Sequence, residues 1–235
     1  MDKLYIVIPA YNEAENIVCV AKEWHEVVKK TGWGSRLLII DDGSKDDTYS
    51  ILNSLKDELP QLIALTKPNG GHGATVLYGY HYALSQNADY IFQTDSDGQT
   101  LSSEFWEFWE LRTQFSAVIG YRNHRKDGLS RIFVSKVLKI VLRSVFKLNI
   151  PDANTPFRLI KNDALKKHVS KIPPDFNLSN VLLTVSLVKC KENIKFMPIT
   201  FRPRQGGVNS INLRKIVKIG FHAIKDFREL KKMIN

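Results

Sequence analysis

The sequence predicts an α/β fold built on a mostly parallel sheet, and two observations carry that expectation. Through the first hundred residues, short apolar runs alternate with stretches of helical spacing. Strands that read as continuous apolar runs, each followed by a helix, are the mark of parallel βαβ units. The runs also end at polar turns: Asn12-Glu13, Asp41-Asp42 and Asp95-Ser96-Asp97. In open α/β sheets ligands sit beyond the carboxyl ends of the strands. These turns are therefore expected to converge on one crevice, although the chain separates them widely.

The elements follow in order. Leu4-Tyr5-Ile6-Val7-Ile8 is a β-rich run closed by Pro9. From Glu13 to Lys30 the residues Ile17, Val20, Trp24, Val27 and Val28 recur at helical spacing. Asn12 is the expected N-cap, with Glu15 three residues on. Leu37-Leu38-Ile39-Ile40 is a second strand and residues 47–56 a second helix. Ile63-Ala64-Leu65 is a weaker third strand. Asn69-Gly70-Gly71-His72-Gly73 opens a helix from Ala74 to Gln86, and Tyr90-Ile91-Phe92-Gln93 is a fourth strand. Beyond residue 116 the pattern changes. Ala117 to Gly120 reads as a further strand ending in Tyr121-Arg122, and residues 123–129 as a polar loop. Ser130 to Leu148 reads as an apolar helix carrying Arg131, Lys136, Lys139, Arg143 and Lys147. A last helix from Ile211 to Ile234 keeps Leu213, Val217, Phe221, Ile224 and Phe227 in step and is rich in Lys and Arg. The expected division is a domain over residues 1–210 and a basic amphipathic helix over 211–235.

Composition narrows the classes. The chain has 235 residues, 43% hydrophobic and 25% charged, which is ordinary globular usage and excludes a fibrous or disordered chain. Its two cysteines, Cys19 and Cys190, form no C-x-x-C, so neither a zinc ribbon nor a disulfide framework is expected. The net charge of +10 favours anionic partners: nucleotides, phosphate esters, nucleic acid or an anionic membrane surface. The N-terminal run does not read as a signal peptide, and no uninterrupted apolar stretch approaches the ~18 residues of a membrane span. Any membrane contact is thus expected to be peripheral.

Asp95-Ser96-Asp97 is the sharpest chemical feature. Two carboxylates one residue apart at a strand end suit a hard cation, since Mg²⁺ or Mn²⁺ takes one or two carboxylates and completes its shell with substrate phosphates. Gln99 adds an oxygen within reach. The competing reading is an Asx turn, for which Asp-Ser-Asp-Gly is ideal. Asp42 reads either as an acceptor for a nucleoside or as part of a tight turn. The glycine loop 69–73 reads either as an anion site of free backbone N–H groups or as a close-packed connection. His72 is expected to face solvent.

The segments YIVIPAYNEAENI, LLIIDDGSKDDT, NGGHGATVLYGYHYAL and ADYIFQTDSDGQ, in this order and spacing, resemble glycosyltransferase family 2, and its dolichol-phosphate mannosyltransferase-like branch in particular. IGYRNHRKDGLSRIFVSK and PDANTPFRLIK resemble that branch too. The resemblance implies a GT-A fold, a three-layer α/β/α sandwich that binds a nucleotide-sugar. It implies that Pro9, Tyr11, Glu13 and Asp42 hold the nucleoside, with Gly73 in the donor loop. Asp95, Asp97 and Gln99 match a site for Mg²⁺ or Mn²⁺. Arg122 matches a basic residue near substrate phosphates, and Arg131 and Ser135 match positions that bind a lipid phosphate. Asp152 and Arg158 match a segment near the sugar, and Arg202 or Arg204 is expected to reach the donor diphosphate. Two residues depart from the pattern. His72 stands where Lys or Arg is frequent, and Pro156 stands where Gly is usual.

The implied reaction is inverting transfer of a hexose from a UDP- or GDP-sugar to a polyprenyl or dolichyl phosphate, at the inner face of the membrane in the cytoplasm. A phosphate monoester has a second pKa of about 6, so such an acceptor is largely ionised near neutral pH and needs positioning rather than a base. A sugar-hydroxyl acceptor in polysaccharide synthesis is the alternative, and it would need a base, with Asp152 the candidate. A nucleotidyltransferase is a second alternative, weakened because the turn after the first strand has no glycine. No nucleic-acid-binding motif stands out. The terminal helix suits a membrane surface or a homodimer contact.

Overall fold

The computed structural model describes residues 2–122, 138–140 and 142–203. Arg131, Ser135, Arg204 and the expected terminal helix lie outside the described residues, as do residues 130–137 and 141 of the expected helix 130–148, whose residues 138–140 and 142–146 are helical.

The strands are β1 (Leu4–Ala10), β2 (Arg36–Asp41), β3 (Leu62–Thr66), β4 (Tyr90–Gln93), β5 (Ala117–Arg122), β6 (Arg158–Lys161) and β7 (Ile194–Ile199). The helices are α1 (Ile17–Thr31), α2 (Thr48–Ser54), α3 (His72–Ser85), α4 (Phe105–Glu110), α5 (Asn162–Val169) and α6 (Ser179–Lys189). Among the described residues the strands form one sheet in the order β3-β2-β1-β4-β6-β5-β7. Only β6 runs against the others. The sequence pattern yields β1 to β5 but not α4, β6, β7, α5 or α6.

Alternation along each strand sorts the layers. Leu4, Ile6 and Ile8 of β1 pack with Trp24 and Val28 of α1 and with Phe105 and Phe108 of α4. Tyr5 and Val7 face the other way, onto Val76, Leu77 and Tyr80 of α3 and onto helices α5 and α6. Two apolar cores therefore flank the sheet, as a three-layer sandwich requires. Gly79 lets α3 lie close to the sheet, because a Cβ there would stand 2.3 Å from Val7 Cγ1 and 2.9 Å from Ile40 Cδ1.

Helices α5 and α6 share a polar network around a buried histidine. His168 of α5 is fully buried, with Nδ1 2.8 Å from Ser186 Oγ and Nε2 3.1 Å from Glu192 Oε1. Lys167 Nζ donates to the same Glu192 oxygen at 2.7 Å. The bonds from Lys167 and His168 push the Glu192 pKa down to about 2. A carboxylate depressed in the folded state stabilises it above the unfolded pKa and loses that contribution as pH falls to the folded one. Glu192 should therefore contribute fully above about 4.5 and lose its contribution between there and about 2. Glu192→Gln is expected to lower the melting temperature at pH 6 and to narrow that gap as pH falls to 2.5. Thermal melts across the range check it, and a gap independent of pH would refute the assignment.

Candidate active site

The site is made by the way β1 ends. In a parallel strand, alternate residues hydrogen-bond to opposite neighbours. Ala10 O accepts from Asp42 N at 2.8 Å on the β2 side, whereas Val7 O accepts from Thr94 N at 3.2 Å on the β4 side. Pro9 shares the parity of Val7. Its missing N–H therefore falls on the β4 side, where pairing has already stopped at Val7 and Gln93. No ladder bond is lost, so proline is tolerated beside an inner seam. The β1–β4 seam is also where the order of strands reverses direction, the place where open sheets bind ligands.

Every strand but β6 points its carboxyl end at this edge, and β6 begins there. The edge thus gathers Tyr11 to Glu13, Asp41 to Asp46, the glycine loop, Asp95 to Gln99, Arg122, Asp152 and Arg202.

Asn12 is not the helix cap. Its φ of 53° is left-handed, its N–H donates to Ser44 Oγ at 2.9 Å and its Oδ1 accepts from Lys45 N at 2.8 Å. It stitches the turn after β1 to the turn after β2, and α1 starts four residues later than that cap implies, with Asn16 at its N-cap. Glu13 is buried, with its N–H donating to Thr48 Oγ1 at 2.8 Å and its Oε2 accepting from Asn16 Nδ2 at 2.9 Å. Tyr11 stays 38% exposed at the rim.

Asp42 is 3% exposed. Its carboxylate accepts from Lys67 Nζ, and from Gly70 N and Gly71 N at 2.9 Å each. Burial works to raise its pKa, but Lys67, Gly70 and the Thr75 hydroxyl outweigh that and hold it below the ordinary carboxylate value. Two N–H groups that the sequence offered to a ligand anion are thus held by an anion of the chain itself. Gly73 is likewise a packing residue: a Cβ there would stand 2.3 Å from Phe176 O and 2.5 Å from Asn177 O.

His72 faces solvent as expected and also makes a contact that its position in the loop does not announce. Its side chain is 49% exposed, yet Nε2 lies 2.9 Å from Asp95 Oδ1 and ties the start of α3 to the turn after β4. Crowding of the ring opposes its protonation, but Asp95, Asp97 and Asp42 prevail and hold its pKa above the ordinary imidazole value.

The Asp95–Thr100 turn is fastened at several points. Gly98 has a φ of 67°, and Gln99 N donates to Asp97 Oδ1 at 3.1 Å. So the Asx turn is present, and it holds the turn's shape without excluding a cation. Gln99 is 2% exposed, and its Nε2 donates to Arg202 O at 2.9 Å. Arg202 Nη2 donates to Gly98 O at 3.1 Å and Thr100 O at 3.2 Å. Its Nε is buried without a hydrogen-bond partner among the described residues. Gln99 and Arg202 therefore act as fasteners of this turn. The carboxylates of Asp95 and Asp97 are hard oxygen donors of the kind Mg²⁺ and Mn²⁺ prefer. Among the described residues no cluster of three His, Cys, Asp or Glu forms a complete cage. A cation on this turn would fill its shell from phosphate oxygens and water, which suits a site that works only with a phosphorylated ligand.

Across β6, Arg122 and Asp152 form a two-point ion pair, Nε to Oδ2 at 2.7 Å and Nη2 to Oδ1 at 3.0 Å. Both side chains are largely buried, and the guanidinium lies 5.2 Å from the Phe201 ring. Asp152 Oδ1 also accepts from Asn154 N at 3.2 Å, so it caps its own turn as well. Arg158 is fully buried and bonded to backbone carbonyls, which removes it from the crevice where a sugar would lie.

A half-sheet of order β3-β2-β1-β4, an acidic turn at the switch point and one reversed strand beyond it make this a GT-A fold. The chain belongs to glycosyl transferase family 2, whose model matches residues 5–169. It is 25% identical over 197 residues to an undecaprenyl-phosphate 4-deoxy-4-formamido-L-arabinose transferase of Pectobacterium atrosepticum, covering 83% of this chain and 54% of that protein. The chain therefore spans about half the length of that curated relative. It is 23% identical over 216 residues to a polyprenol monophosphomannose synthase of Mycolicibacterium smegmatis, covering 88% and 80%. In three dimensions it is similar to a glucosyl-3-phosphoglycerate synthase from Mycobacterium tuberculosis crystallised with Mn²⁺, UDP and glucosyl-3-phosphoglycerate. That match has a TM-score of 0.72 over 98% of this chain and 80% of the other. At 14% identity this likeness concerns the fold alone. No helix among the described residues is long and apolar enough to cross a membrane.

Proposed function

We propose that this chain carries the catalytic domain of an inverting hexosyltransferase. Its donor is a nucleotide diphosphate sugar, linked to UDP or GDP, and its acceptor a polyprenyl phosphate reached at the cytoplasmic membrane surface. The observation that carries the reading is the Asp95-Ser96-Asp97 turn at the β1–β4 switch point of a family 2 chain. The names of the two relatives support a polyprenyl-phosphate acceptor.

In this reading the nucleoside lies against Tyr11 and Glu13 in the seam left open at Pro9. Asp95 and Asp97 would hold Mg²⁺ or Mn²⁺, which supplies Lewis-acid compensation for the charge of a diphosphate leaving group. His72 orients Asp95, and Gln99 with Arg202 fixes the turn. Arg122 offers a preorganised cation to a phosphate, and such groups act most strongly where water is excluded.

The ion pair also speaks to the acceptor. Arg122 already engages both oxygens of Asp152. Protonating Asp152 would cancel that attraction, so it is a poor base. An acceptor that arrives ionised, as a phosphate monoester does near neutral pH, needs none. Arg131, Ser135 and Arg204 are assigned to acceptor and donor phosphates on resemblance alone.

A screen of UDP- and GDP-hexoses with Mn²⁺ tests the reading. Lipid-linked sugar is expected with polyprenyl phosphate, and none with dephosphorylated polyprenol or with EDTA. Equal use of polyprenol, or transfer only to sugar hydroxyls, would overturn it.

A further inference from the structure

Arg158 is the most completely enclosed charge among the described residues, and the mechanism above does not use it. It opens β6 with 0% exposure. Nε donates to Thr155 O at 3.1 Å, and Nη2 to Thr155 O at 2.5 Å and Ala153 O at 3.3 Å. Nη1 donates to Asn180 O and Thr184 Oγ1 of α6, at 3.1 and 3.2 Å. The Thr184 hydroxyl has Asn180 O at 2.8 Å and Ala153 O at 3.1 Å within reach of its single proton. Every one of these acceptors is neutral.

A buried ion costs several kcal/mol of desolvation unless hydrogen bonds replace its water. An apolar side chain would fill the space more cheaply, so packing alone is a weak reason for arginine. The geometry supplies a better one. The turn over residues 152–157 lies outside sheet and helix, and two of its carbonyls point inward with no ladder to receive them. A guanidinium presents five N–H donors in a rigid plane. Arg158 uses that plane to join both carbonyls to α6. One residue from the anchored Ala153 stands Asp152, which holds Arg122 at two points.

We propose that Arg158 is a positioning residue. It fixes the 152–155 turn against α6 and, through Asp152, sets the Arg122 guanidinium in place for a substrate phosphate. The role assigned to Arg122 rests on the proposed function, while the mechanical link stands on the contacts alone.

Two measurements on Arg158→Lys test the proposal. Lysine keeps the charge but cannot bridge two carbonyls and α6 in one plane. Without ligand, amide hydrogen exchange at 153–155 and 120–122 is expected to rise about tenfold, with β1 and β2 unchanged, as for a local opening. In Mn²⁺-dependent transfer to polyprenyl phosphate, Arg158→Lys and Asp152→Asn should each lower kcat more than they raise KM for the donor. The double variant should lose no more than the worse single one, because residues acting as one unit are non-additive. Independent, multiplied losses would overturn the proposal, and so would unchanged exchange at 120–122. If Arg158→Lys does not fold, Thr184→Val, which removes the hydroxyl that accepts from Arg158 Nη1 and donates toward the same carbonyls, is read by the same exchange criterion. If the wild type transfers no sugar, the proposed function fails and the exchange result alone decides the link.

Discussion

Replacing Asp97 with Asn is expected to abolish metal-dependent turnover while leaving the fold intact. Asn keeps an oxygen in the position from which Asp97 Oδ1 accepts the Gln99 N–H at 3.1 Å, so the turn retains its shape. Gly98 and the Arg202 bonds to Gly98 and Thr100 are untouched. What disappears is one of the two negative charges that would face a cation in the proposed site. With so few protein ligands, a cation loses about half of its protein-borne compensation. We expect kcat to fall by at least about 10²-fold, the scale seen when one preorganised stabilising group is removed. Calorimetric titration of Mn²⁺ with nucleoside diphosphate should show weakened binding, and the melting temperature should stay close to that of the wild type. Unchanged turnover would refute the assignment of this turn.

The second large effect is expected from Gly73→Ala. The new Cβ would stand 2.3 Å from Phe176 O, 2.5 Å from Asn177 O and 2.6 Å from Asn177 C. These are backbone atoms, so no side chain can rotate away, and either the start of α3 or the 176–177 turn must shift. Overpacking of this kind costs about 1–3 kcal/mol. The shift also reaches His72, the neighbour that holds Asp95, so donor affinity should fall with stability. Gly70→Ala is the control. Its Cβ would meet Lys67 Nζ at 3.1 Å, the far end of a flexible chain, and Ala74 Cβ at 3.4 Å. Denaturant unfolding should separate the two variants by at least about 1 kcal/mol. Equal stability would show that the 176–177 turn yields freely.

Much of this was legible in the residues. β1, β2 and β4 read cleanly because each is an apolar run, β3 less so, and the acidic turns at the ends of β1, β2 and β4 imply a shared edge. The second half was harder for physical reasons. α6 (SNVLLTVSLVK) is buried nearly all round, so it lacks the one-sided stripe that marks a helix. β6 has four residues and β7 contains Pro198, which leaves little periodicity to find. The site was legible as a set of residues but less so as a set of bonds. Glycine loops commonly offer N–H groups to ligands, and only the fold reveals that Asp42 occupies two of them. Equally, nothing local marks His72 as a neighbour of Asp95, 23 residues on. Arg158 belonged to a recognisable segment, yet its burial depends on α6, which the sequence did not supply.

The proline near the end of β1 has one more consequence. Neighbouring parallel strands tend to zip together along their full length, and a donor on each partner drives the closure. Pairing of β1 with β4 has already ended at Val7 and Gln93, and an imino nitrogen at position 9 offers no donor to resume it. The gap is therefore a standing property of the backbone, and a nucleotide entering it, as proposed above, would have no strand pair to prise apart. Affinity for the base can then be spent on recognition instead of on making room.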